Sequence, residues 1–154
     1  MTIKKPKLTL VRGIPGSSKT TLATKLAKEN GGVVVSADDF FTHDDGSYKF
    51  SFQLIRAAHQ YCLGKIFYHL SRGEDVYVHN TYTQKWEMEM TIDIASQAGY
   101  DWDIIEPTVK WRYDVEECAK KNTHGVPLAT IQKMKDRFES TKDILKAFEK
   151  YRAE

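Results

Sequence analysis

Gly13-Ile14-Pro15-Gly16-Ser17-Ser18-Lys19-Thr20 is the stretch that decides the fold. It follows the apolar run Leu8-Thr9-Leu10-Val11 and precedes residues 21–28, where Leu22, Ala23, Leu26 and Ala27 share one helical face. A short buried strand, a glycine-bearing turn and a helix, in that order, form a cradle for an anion. Gly13 and Gly16 let the backbone wrap around phosphates, and the N–H groups of the turn and the helix start face the anion, helped by the helix dipole. The stretch matches G-x-x-x-x-G-K-[ST] at all fixed positions but one. Lys19 is placed to reach the β- and γ-phosphates of a nucleotide, and the Thr20 hydroxyl to coordinate Mg²⁺. The exception is Ser18, where the pattern has glycine. A side chain there crowds the phosphates or strains the backbone, which weakens nucleotide binding without abolishing it. The competing reading is a glycine-rich turn with a chance lysine. It leaves the preceding strand, the following helix and the Lys-Thr-Thr register unexplained.

Outward from this turn, Asn30-Gly31-Gly32 stops the helix and Val33-Val34-Val35 reads as a second strand. Ser51 reads as the N-cap of a long helix ending near Ser71 and Gly73. Residues 75–78 read as a third strand, Thr83 as the cap of a helix over 84–97, and residues 102–105 as a fourth strand stopped by Pro107. Residues 114–121 and 128–150 read as two more helical stretches. Alternating strands and helices at this spacing imply βαβ units and a parallel sheet. The expected class is α/β, a three-layer sandwich of the P-loop NTPase type, with four or five parallel strands, helices on both faces and a helical lid. In such sheets ligands bind beyond the carboxyl ends of the strands, so the loops 12–19, 36–41 and 79–83 are expected to converge on one cleft.

A chain of 154 residues with 41% hydrophobic residues reads as one globular domain over 1–154. Its two cysteines, Cys62 and Cys118, form neither a disulfide framework nor a zinc pattern and are expected to be reduced. The lysines of residues 1–7 precede no long apolar run, so a soluble, cytoplasmic protein without a membrane segment is expected. A net charge of +2 neither demands nor excludes a nucleic-acid partner. A monomer or weak oligomer is expected.

Asp38-Asp39 follows the second strand and faces the phosphate turn in this topology. A carboxylate there can take the proton of an acceptor hydroxyl, because phosphoryl transfer needs mostly positioning and charge stabilisation. The alternative is a cap or solvated turn aspartate. The phosphate turn tips the reading of Asp38 toward function.

The ordered set Arg12-Gly-Ile-Pro-Gly-Ser-Ser-Lys-Thr-Thr21, Ser36-Ala-Asp-Asp-Phe-Phe41, Asp45-Gly-Ser-Tyr-Lys-Phe50, His79-Asn-Thr-Tyr-Thr83 and Lys121-Asn-Thr-His-Gly-Val126 resembles the polynucleotide-kinase-like branch of the P-loop kinases. That branch includes phage polynucleotide kinase. The resemblance implies an AAA-type kinase domain with ATP as donor, Mg²⁺, and a hydroxyl of a nucleic acid or nucleotide as acceptor. A 5′-hydroxyl and a hydroxymethylated base in DNA are both compatible. It implies ATP contacts from Gly13, Ile14, Pro15, Gly16, Ser17, Ser18, Lys19, Thr20 and Thr21, with Asp38 as general base. It further implies a two-helix lid over 114–137 that brings cations to the phosphates. The chain departs from the family at Ser18, at His79 where aspartate is usual, at Lys121 where arginine is frequent, and at Phe41 where the phage kinase has arginine. These departures favour the alternative, an ATP-binding pseudo-kinase that acts as a nucleotide-dependent binding module.

Further candidates for substrate or lid contacts are Asp39, Arg56, His79, Asn80, Lys121, His124 and Arg137. Each has a plain alternative: a strand-end histidine at His79, a loop histidine at His124, a solvated helix end at Lys121. Tyr48 and Phe50 can stack on a base, worth about 1–3 kcal/mol, or anchor their loop to the core. His59, Tyr61, Cys62 and Phe67 read as packing residues of the long helix, and Trp86, Trp102 and Trp111 as packing residues too.

Overall fold

Period-two alternation along the first strand sorts the layers. In the computed structural model, which describes residues 5–152, β1 (Lys7–Arg12), β2 (Val33–Val35), β3 (Val76–Asn80) and β4 (Asp101–Ile105) form one parallel sheet in the order β2-β3-β1-β4. Positions 1–4, part of the lysine-bearing start, and positions 153–154 lie outside the described residues. Leu8 and Leu10 join the main core beneath α2 (Ile55–Ser71), α3 (Trp86–Gln97) and α6 (Thr141–Ala147). Val11 joins Ala23 and Tyr77 on the other side, under α1 (Lys19–Asn30). Ala58, Cys62, Ile66 and Leu70 recur every four residues along α2 and bury one stripe against the sheet. Cys62 and Cys118 are free and buried.

The chain winds from β1 out to β2, returns to β3 beside β1, then crosses to β4 on the far side. The strand order therefore reverses at β1 and β3, where such sheets open a ligand crevice. Register fixes what stands there: Val11 pairs with His79 and Arg12 with Asn80. A separate cluster forms above this crevice. Ile14 of the phosphate turn packs with Val115 and Cys118 of α4 (Val115–Lys121) and Ile131 of α5 (Leu128–Asp136). Among the described residues, no helix is long and apolar enough to cross a membrane.

Several sequence expectations change. Ser51 precedes only a 3-10 turn, Phe52–Leu54, makes no side-chain cap bond, and α2 begins at Ile55. Thr83 does not cap α3 by accepting from its amides. Its hydroxyl donates to Glu87 Oε2 at 2.6 Å, and that carboxylate accepts from Gln84 N–H at 2.8 Å. Residues 128–150 are not one helix: α5, α6 and a 3-10 turn at Glu149–Tyr151 divide them. The break has a tertiary cause. The Glu139 carbonyl and the Thr141 hydroxyl turn inward to Arg12, and Ser140 restarts the helix by accepting from Asp143 N–H. Trp102 is buried as expected, but Trp86 is 71% exposed. Tyr61 and His59 also face outward, the latter into the cleft described below.

Arg12 is 0% exposed. Its Nε donates to Tyr82 O at 2.9 Å, one terminal nitrogen to Glu139 O at 2.7 Å and to Thr141 Oγ1 at 2.8 Å, and the other to Thr83 O at 3.1 Å. The guanidinium also lies 3.9 Å from the Phe138 ring centroid. Burial pushes its pKa down, against the opposing pull of Glu106, Glu139 and Glu87. A planar fork alone reaches all these acceptors. Arg12→Met is expected to lower equilibrium stability by about 3–5 kcal/mol in urea unfolding, because buried carbonyls lose charged donors. Arg12→Lys is expected to recover only part of that loss.

A candidate nucleotide-binding cleft

The turn after β1 is built tightly. Gly13 N–H donates to Thr81 O at 3.2 Å, and Ser17 N–H donates to Ile14 O at 3.2 Å. Gly16 has φ 85°, and a Cβ there would lie 2.1 Å from the Cys118 carbonyl oxygen. Trp111 Nε1 donates to the Gly16 carbonyl at 3.2 Å, so the segments around α4 hold the turn from above. Glycine is thus required at Gly16 by angle and by contact alike. A Cβ at Gly13 would meet Ser17 Oγ at 2.4 Å. That Ser17 hydroxyl is buried and, among the described residues, has no hydrogen-bond partner.

Ser18 adopts φ 76° and ψ 30°, the left-handed region where the pattern has glycine, at a cost of roughly 1–2 kcal/mol. It gives α1 no side-chain cap. The first-turn amides of Lys19, Thr20 and Thr21 therefore keep their donors for an external acceptor. Lys19 Nζ folds back onto the Ile14 carbonyl at 3.0 Å. Burial pushes the Lys19 pKa down to about 8, with the Asp38 charge acting in the opposite sense.

The opposite wall starts at β2. Ser36 Oγ accepts from Asp38 N–H at 3.1 Å, and Asp39 Oδ2 accepts from Ser36 N–H at 3.1 Å, a reciprocal capping box. Asp39 is thereby committed to the backbone, and Asp38 is left facing the cleft. Asn80 is buried and braces the same turn: its Oδ1 accepts from Ala37 N–H at 3.0 Å. Asp38 meets Tyr48, whose hydroxyl donates to Oδ1 at 3.0 Å, and His124, whose Nδ1 is 3.4 Å from Oδ2.

His79, the penultimate residue of β3, has Nδ1 3.4 Å from the Thr20 hydroxyl. Burial, reinforced by the Lys19 charge, pushes the His79 pKa down, which favours a neutral ring able to accept from that hydroxyl. Lys121 lines the cleft with Nζ 3.6 Å from Glu117 and 4.4 Å from the Trp111 ring centroid. Arg137 lines it too, its Nε donating to Thr83 Oγ1 at 3.1 Å. Arg56 is exposed and does not line the cleft; its neighbours Ile55 and His59 do.

These walls enclose about 750 Å³, within the range of small-molecule sites. Its lining joins the polar Lys19, Thr20, Thr21 and Asp38 with the apolar side chains of Phe41, Phe50, Phe52 and Ile55. The loops after β1, β2 and β3 do converge. Sequence reasoning did not find the clamp at Arg12, because a lone arginine before a glycine turn carries no sign of burial. Nor did it find that Tyr48 touches Asp38, since the residues are 10 positions apart in irregular chain.

The chain matches the family described as AAA domain over residues 8–141. It is 31% identical over 134 residues to human NEDD4-binding protein 2, covering 86% of this chain and 8% of that protein. It is 28% identical over 143 residues to 2′,3′-cyclic-nucleotide 3′-phosphodiesterase of Rattus norvegicus, covering 90% of this chain and 32% of the relative. The chain thus spans less than a third of the length of either relative. Its fold is similar to a chain of the Pnkp1/Rnl/Hen1 RNA repair complex, with TM-score 0.71 and 20% identity over 92% of this chain and 47% of that one. With its parallel sheet, glycine-bearing turn and matched span of residues 8–141, the chain belongs to the AAA-domain family of P-loop, kinase-like proteins.

Proposed function

We propose that the chain transfers the γ-phosphate of ATP to a hydroxyl carried by a nucleic acid or nucleotide. The observation that carries the reading is that Lys19, the free first-turn amides of α1 and Asp38 face one cleft. In this reading Lys19 leaves the Ile14 carbonyl and neutralises the β- and γ-phosphates, while the amides after Gly16 hold their oxygens. Asp38 accepts the proton of the acceptor hydroxyl as its oxygen bonds to phosphorus and the bond to ADP breaks. Lys121, His124 and Arg137, from the α4–α5 lid, face the same space, and Lys121 and Arg137 supply positive charge.

A buried Ser17 hydroxyl that has no hydrogen-bond partner among the described residues fits a phosphate group. Thr20 Oγ1 is the protein oxygen suited to Mg²⁺, and no cluster of three or more His, Cys, Asp or Glu stands among the described residues as an alternative metal cage. Such an ion would add charge neutralisation at the phosphates. The apolar lining at Phe50, Phe52 and Ile55 suits a planar base better than a polyol. Similarity to a chain of an RNA repair complex and to a cyclic-nucleotide phosphodiesterase supports the same acceptor class. A second reading, nucleotide binding with little turnover, is favoured by the left-handed serine at Ser18 and by His79 beside Thr20.

Incubation with labelled ATP and a panel of 5′-hydroxyl oligonucleotides, nucleosides and hydroxymethylated duplexes is expected to label at least one acceptor. Asp38→Asn is expected to reduce that transfer by about 10²–10⁴-fold. ATP binding without transfer to any member supports the second reading. Lys19 adds a pH signature. Its charged form binds phosphate and is lost as pH rises through about 8, so ATP affinity is expected to fall above that pH. Calorimetry in EDTA is expected to give roughly eightfold weaker binding at pH 9 than at pH 7.5. Lys19→Met is expected to flatten that dependence.

A further inference from the structure

Asp38 carries contacts that the phosphate turn does not explain. The segment 42–50 is a folded loop: Thr42 and Tyr48 form an antiparallel bridge, and Lys49 N–H donates to Phe41 O at 2.9 Å. His43 N–H donates to Ser47 O at 2.8 Å, and the Asp45 carboxylate accepts from Ser47 N–H at 2.9 Å and from its hydroxyl at 2.7 Å. Buried Phe41 packs edge-on to the Tyr48 ring at 6.2 Å. This framework presents the Tyr48 hydroxyl to Asp38 Oδ1 at 3.0 Å.

His124 arrives from the other side, on the loop 122–127 between α4 and α5. Its ring lies flat on Tyr48, 4.1 Å between centroids and 8° between planes, with Nδ1 3.4 Å from Asp38 Oδ2. Asn122 stiffens that loop, its Oδ1 accepting from Val126 N–H at 2.9 Å. One carboxylate therefore joins the turn after β2, the loop 42–50 and the lid loop. Burial and the Asp38 charge push the Tyr48 pKa up, so the phenol remains a donor.

We infer that Tyr48 is a positioning residue for Asp38, and that His124, stacked on Tyr48, is a removable cover over Oδ2 that couples the lid loop to the base. Tyr48 fixes the carboxylate plane through Oδ1. Oδ2 is left to take the acceptor proton once the imidazole moves aside. The inference rests on the reading of Asp38 as the base. Among the described residues, Tyr48 and His124 are the side chains that contact this carboxylate.

The test uses wild type, Tyr48→Phe, His124→Phe and Asp38→Asn in two measurements. The first is amide exchange of residues 122–126 in the ligand-free protein. The second is steady-state transfer from labelled ATP to a 5′-hydroxyl oligothymidylate. Tyr48→Phe keeps ring and stack and removes only the hydroxyl. It is expected to lower kcat about tenfold with KM for ATP within about twofold. His124→Phe keeps the stack and removes the Nδ1 contact. It and Asp38→Asn are expected to speed loop exchange about fivefold. Wild-type kcat in Tyr48→Phe, or wild-type loop exchange in both other variants, overturns the inference. Full transfer by Asp38→Asn overturns the reading of the base instead. Absence of wild-type transfer to the oligothymidylate and to every member of the acceptor panel overturns the kinase reading and with it the role of Tyr48, while the exchange measurement still decides the coupling through His124.

Discussion

A buried guanidinium holds the carboxyl end of the sheet together. Arg12 leaves β1 one residue before the phosphate turn and gathers the carbonyls of Tyr82, Thr83 and Glu139 and the hydroxyl of Thr141. Those acceptors belong to the loop after β3 and to the break between α5 and α6. Thr141 passes the connection on to Glu106, donating to its Oε2 at 2.5 Å. Glu106 also accepts from the Tyr113 hydroxyl. Each carbonyl was desolvated on folding, so each needs a donor, and one charged fork supplies them all. The starting point of the phosphate turn, the wall at Thr83 and the end of α5 are thereby fixed relative to one another.

That rigidity gives the cleft its meaning. A phosphate cradle works when its amides point at one place before the ligand arrives, since reorganisation would otherwise offset the binding energy. Gly16 against the Cys118 carbonyl and Trp111 on the Gly16 carbonyl press α4 onto the turn. Ile14 packs between α4 and α5, so the base of the helical pair is joined to the cradle itself. The loop 122–127 between these helices carries His124 to the Asp38 carboxylate. Charge follows the same plan: Lys19, Lys121 and Arg137 line a space in which Asp38 is the facing carboxylate.

Much of this was legible in the sequence because the signals were local. The strand, the glycine turn and the helix occupy consecutive residues, and the β-branched run at Val33-Val34-Val35 leads directly into Ser36-Ala37-Asp38-Asp39. The capping box at Ser36 was not read: Asp39 was expected at the substrate, and its carboxylate instead accepts from the Ser36 N–H. What else escaped depended on distant pairings. The long helix expected over 128–150 breaks because Glu139 and Thr141 face Arg12, which lies 127 and 129 positions earlier. Arg56 suits a phosphate contact by residue type, yet the face of α2 that meets the cleft carries Ile55 and His59. Tyr48 had two readings, stacking on a base or anchoring its loop. The structure adds a third partner, the Asp38 carboxylate.

We propose that the turn from Gly13 to Thr20 grips the phosphate tail of a nucleotide, with the base contributing less. Calorimetric titration of the wild-type chain with ATP and with AMP, each with Mg²⁺, tests it most directly. If Lys19 and the helix-start amides supply the affinity, ATP binds at least about tenfold more tightly than AMP. Equal affinity for the two nucleotides, or no heat with either, contradicts the account.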